Sequence, residues 1–178
     1  MGNVLQVAMM AGVVLEAGLL VRLTLKRAWR QSPWFVALIA CFLVSACLKF
    51  VVYYTYPGAY ASAYWKLTAV EIAFAIVAIG EQVECVRFGI AVGITVGTCL
   101  VLLGNYHFYG WAGLAIAVTA GILESRRRSR IVEGIVLFWF PWFLLLMPPM
   151  PHWVSGVPVL CWVGALIVWF FVPMESES

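Results

Sequence analysis

The chain has 178 residues, of which 65% are hydrophobic and only 11% charged, with a formal net charge of +3 and a mean hydropathy of +1.00. Soluble domains carry about 25% charged residues, so a soluble globule of this size is excluded and the surrounding solvent is lipid. Asp is absent, and no charged tail is long enough to hold nucleic acid.

The first apolar run starts at the N-terminus, and its basic residues, Arg22, Lys26, Arg27 and Arg30, follow it. A secretory leader has the opposite order, so this segment is expected to be a retained first span. A spanning helix needs about 20 apolar residues. Seven segments qualify: 3–25, 33–55, 60–82, 87–105, 109–126, 131–148 and 153–173. The expected fold is an all-α, single-domain, seven-span bundle over residues 1–178, with no segment left for a soluble domain.

The charges orient it. The first connection holds Lys26, Arg27 and Arg30, the third Arg87 with Glu81 and Glu84, and the fifth Arg126, Arg127, Arg128 and Arg130. The other connections, TYPGAY, NYHFYG and PPMPHWVSG, contain no Lys or Arg. Basic residues mark the cytoplasmic loops, which places the N-terminus outside and the C-terminus inside. Tyr53, Tyr54, Tyr56, Tyr60, Tyr64, Tyr106, Tyr109, Trp111 and Trp153 then crowd the outer ends, as an interfacial belt. The arginine run from Arg126 to Arg130 is placed to meet anionic lipid headgroups, although orientation alone accounts for it.

Close helix contact in lipid relies on small residues. The fourth span carries Gly89, Gly93 and Gly97; the fifth carries Gly113, Ala117 and Gly121. Both stripes follow an i, i+4 face, so these two helices are expected to pack on each other, or to form a homodimer face. Pro141 and Pro158 interrupt the last two spans and are expected to kink them.

Ionisable groups inside spans are costly and are site candidates by default. Glu16, Lys49 and Glu71 lie at such depth. Within about 60° of Glu71 on its helix stand Tyr60, Tyr64, Leu67, Thr68, Phe74, Ala75, Ala78 and Gln82, a face expected to meet protein. Lys66 points elsewhere and should snorkel to the outer interface. Lys49 shares a face with Ser45, Tyr53 and Tyr56. Counted from the Pro57-Gly58 turn, Glu71 lies deeper than Lys49 by roughly 7.5 Å. The side chains of this antiparallel pair lean toward each other, so a Lys49–Glu71 pair is expected, with Tyr53 and Tyr64 above it. Glu16 is free to join this cluster. The cluster reads either as a strut that sets helix register or as a proton or solute site.

His107 and His152 fall in outer loops, and no cofactor is expected; haem held by these two is disfavoured. The five cysteines lack a CxxC pair and read as small core residues, with no metal site. No nucleophile–base set or phosphate-cradling loop is present, which disfavours a membrane enzyme.

The Pro33-Trp34-Phe35 entry to the second span, Tyr60 and Tyr64-Trp65 at the start of the third, and Glu71 six residues on resemble a set of uncharacterised small bacterial seven-span membrane proteins. The likeness covers roughly the first half of the chain. It implies a bacterial inner membrane and no site residues. The expected function is that of a non-catalytic accessory or sensory subunit acting through a membrane partner or as a homo-oligomer. The alternative is a small solute or proton-coupled carrier or channel built on the Glu/Lys cluster, followed by a membrane redox subunit.

Overall fold

The computed structural model describes residues 2–104, 106–127, 130–139 and 157–170. Among these the chain is all helical: α1 Gly2–Leu25, α2 Pro33–Thr55, α3 Tyr60–Gln82, α4 Val86–Leu103, α5 Tyr106–Arg127, α6 Arg130–Trp139 and α7 Val157–Phe170. Three helical stretches, Pro33–Thr55, Pro57–Gln82 and Val86–Leu103, are long and apolar enough to cross a membrane. The expected segments 33–55 and 60–82 coincide with α2 and α3. The far half of the expected sixth segment, with Pro141, and the ends of the seventh lie outside the described residues. Pro158 stands in the first described turn of α7.

The breaks between helices follow from local chemistry. Past α1, Arg27 adopts a left-handed conformation (φ 54°), and a 3-10 turn over Ala28–Arg30 reverses the chain. Pro33 then opens α2 with its fixed φ. Gly104, at φ 61°, ends α4 in the left-handed region that glycine tolerates best.

α3 is the hub, packed by α2 on one side and α4 on the other. Half of its apolar stretch is buried, against 28% for α2 and 17% for α4. The small-residue stripe of α4 provides the second contact. Gly89, Gly93 and Gly97 are all buried, and they face α3. A Cβ added at Gly93 would come 2.7 Å from the Ala73 carbonyl oxygen, and one at Gly89 3.2 Å from the Gly80 Cα. This corrects the expected pairing of α4 with α5. α3 presents its own small positions, Ala69, Ala73 and Gly80, and the tight turn at Val83–Cys85 folds α4 directly back onto them. The α5 stripe has other duties. Gly113 and Ala117 are buried, but a Cβ at Gly121 would meet nothing within 4 Å.

Two glycines are required by indole rings. A Cβ at Gly134 on α6 would overlap the ring of Trp169 on α7, and one at Gly12 on α1 would overlap the ring of Trp162. Trp169 also donates its indole N–H to the Ile131 carbonyl (3.0 Å) and packs edge-on to Phe35, with ring centroids 5.5 Å apart. Trp169, Phe35, Phe42, Ile39, Ile72 and Ile135 belong to one buried core that links α2, α3, α6 and α7.

Two further expectations are corrected. None of the five cysteines is fully buried: Cys47, Cys85 and Cys99 are exposed, Cys41 and Cys161 partly so, and all five are free thiols. In lipid, an apolar thiol on the outside carries no hydrophobic penalty, so burial no longer sorts apolar from polar. Tyr109 does not join the interfacial belt. It is buried against Trp65 (centroids 4.9 Å) and donates its hydroxyl to the Leu100 carbonyl at 3.2 Å.

Candidate functional site

Ser45 and Lys49 stand one turn apart on α2, so their side chains project along one face. That face meets α3 at Glu71. The Glu71 Oε1 atom accepts from the Lys49 ammonium at 2.7 Å and from the Ser45 hydroxyl. Glu71 retains 4% of its exposure. The difference in depth between the two residues closes in the way helix geometry requires, with each side chain leaning toward the N-terminal end of its own helix. Sequence reasoning did not name Ser45 as a ligand of Glu71, although it stood on the Lys49 face.

The lysine has a second partner. Its Nζ lies 4.6 Å from the centroid of the Tyr64 ring, a cation–π contact of about 0.5–2 kcal/mol depending on desolvation. Among the described residues, Tyr53 makes no hydrogen bond to the pair. It is half-exposed and connects to the site through rings: Tyr53 to Tyr60 at 5.2 Å, then Tyr60 to Tyr64 at 5.9 Å. Lys66 is exposed, as its position on the helix predicted.

Glu16 belongs to the same neighbourhood. It comes from α1, is 1% exposed, and lies within electrostatic range of Glu71 and Lys49. Cys41 on α2 shares that range with all three. The direct partner of Glu16 is on α7: the Trp162 indole N–H donates to Glu16 Oε1 at 3.0 Å. Glu16 Oε2 is buried without a hydrogen-bond partner among the described residues. Trp162 was missed from the sequence because it lies 146 positions away. The only available signal was Gly12 one turn before Glu16, a flat seat for a ring beside a carboxyl.

A third carboxylate has a separate task. Glu81, near the end of α3, accepts the backbone N–H groups of Trp34 and Phe35, one on each oxygen, both at 3.1 Å. Ser32 precedes α2 but makes no capping bond with its side chain. Glu81 therefore caps α2 from a neighbouring helix, where a negative charge also suits the positive end of the helix dipole.

The remaining expected sites fall as follows. His107 is exposed, and His152 lies outside the described residues. Among the described residues no three His, Cys, Asp or Glu side chains group as metal ligands. Arg126 and Arg127 end α5 and Arg130 opens α6. Their side chains, and Arg128 altogether, lie outside the described residues. No family model, no curated protein and no solved structure matches this chain.

Proposed function

We propose that the chain is a non-catalytic integral membrane protein that acts as an accessory or sensory subunit through a membrane partner. In this reading it spans a bacterial inner membrane seven times, with its N-terminus outside. The alternation of basic connections supports the orientation. One observation carries the functional reading: the carboxylate of Glu71 is bound by the Ser45 hydroxyl and the Lys49 ammonium of the neighbouring helix. An intramembrane charge held this way supports a helix register. That leaves the outward faces of the bundle as the working surface. Native mass measurement of the complex, gently extracted from its own membranes, tests this. A partner in fixed stoichiometry is the expected result, and a bare monomer or homo-oligomer overturns it.

A carrier or channel is the second reading, favoured by an oxygen of buried Glu16 that has no hydrogen-bond partner among the described residues, within electrostatic range of the pair. Proton-coupled carriers use carboxylates at such depth. Uptake and pH response in proteoliposomes that survive both Glu71→Gln and Lys49→Met would remove it.

A further inference from the structure

Two acids and one base lie within electrostatic range of one another where α1, α2 and α3 pack together, with α7 against α1. Glu16 and Glu71 are the acids, and Lys49 is the base. Lys49 is committed to Glu71 at 2.7 Å, and Ser45 donates to the same carboxylate oxygen. Glu16 receives a single neutral donor, the Trp162 indole, on Oε1. Its Oε2 is sealed from contact with any donor among the described residues. An ionised carboxylate only accepts hydrogen bonds, so a negative Glu16 would leave an oxygen unsatisfied in a dry interior. A neutral carboxyl group costs far less to bury there than an ionised one. One proton shared out to the three side chains also brings the cluster to zero charge.

We propose that this junction is a proton-binding site, in which Glu16 takes up and releases the proton and Trp162 holds its carboxyl in place. The titratable and charged groups that face Glu16 are Lys49 and Cys41 from α2 and Glu71 from α3; α7 contributes the uncharged indole. The exchange is a plain proton transfer between the Glu16 carboxyl and solvent water that reaches it when the junction opens, with no other bond made or broken.

The site is coupled to a helix contact. The Trp162 ring rests on Gly12, one turn from Glu16 on α1. Loss of the proton places a second negative charge beside Glu71 and in competition for Lys49. It also turns the indole bond into a charge-assisted one, which is shorter and stronger. The α1–α7 contact therefore responds to the proton through Trp162. This inference stands whether or not the protein works through a partner.

Infrared difference spectroscopy of the full chain in lipid nanodiscs tests it. The wild type should show, at neutral pH, a protonated-carboxyl carbonyl band that shifts in heavy water and fades toward alkaline pH. Glu16→Gln should remove one carboxyl's worth of that band. An unchanged band in Glu16→Gln overturns the proposal, as does a band that responds to sodium at fixed pH instead of to protons. Should Glu16→Gln not fold, the wild type decides. The proposal then requires the fading band together with a tryptophan fluorescence change that Trp162→Phe lacks. A wild type with no titrating carboxyl between neutral and alkaline pH overturns it.

Discussion

Lys49 and Glu71 sit 22 positions apart in sequence and meet at 2.7 Å across the α2–α3 hairpin. Breaking a buried pair by removing one partner costs about 3–5 kcal/mol, because the other charge is left uncompensated. Lys49→Met and Glu71→Gln should each destabilise the protein, Lys49→Met the more, as it strands a carboxylate. The double variant should lose less than the sum of the two. Unfolding in mixed micelles measures all three, and strict additivity would show that the two side chains do not couple.

The α4 glycines make a sharper case. A Cβ at Gly93 runs into backbone, the Ala73 carbonyl at 2.7 Å, which cannot swing aside as a side chain would. Gly93→Ala should cost about 1–3 kcal/mol as an overpacked contact. Gly121→Ala meets open space, and should gain about 0.5–1 kcal/mol from helix propensity alone. The same micelle unfolding assay separates the two. Equal effects at Gly93 and Gly121 would contradict the α3–α4 contact.

Gly134 and Trp169 are predicted to behave as a pair. Gly134→Ala should destabilise strongly, because its methyl would occupy the space of the indole ring. Trp169→Phe gives a smaller ring that can draw back from Gly134, and it removes the bond to the Ile131 carbonyl. Gly134→Ala added to Trp169→Phe should therefore cost far less than it does alone. A double-mutant cycle on thermal unfolding reads this directly; full additivity would place the ring elsewhere.

Glu81 offers a test of capping between helices. Glu81→Ala removes the acceptor for two N–H groups at the start of α2. The expected loss is about 1–2 kcal/mol, as for the removal of an N-cap side chain. Hydrogen exchange at Trp34 and Phe35 should rise with it, while amides in the middle of α2 stay protected. Unchanged exchange at those two amides would mean that water or another group already serves them.

The sequence alone carries the helical class and the limits of the early helices. Those are one-dimensional properties: an apolar run of sufficient length, a proline at the start of α2, and a Pro-Gly turn between α2 and α3. It also determined that Lys49 and Glu71 could meet, because a short hairpin ties the depth of one helix to the depth of the next. Tertiary structure decided what lies beyond a hairpin. Small residues on α4 suit any small-residue partner, so only the packed arrangement selected Ala73 and Gly80 of α3 over the stripe on α5. The Glu81 cap and the Trp162 bond to Glu16 join residues 46, 47 and 146 positions apart. Nothing in local spacing encodes such pairs. They form because a buried carboxyl must find a donor, and which donor reaches it depends on how the helices converge in three dimensions.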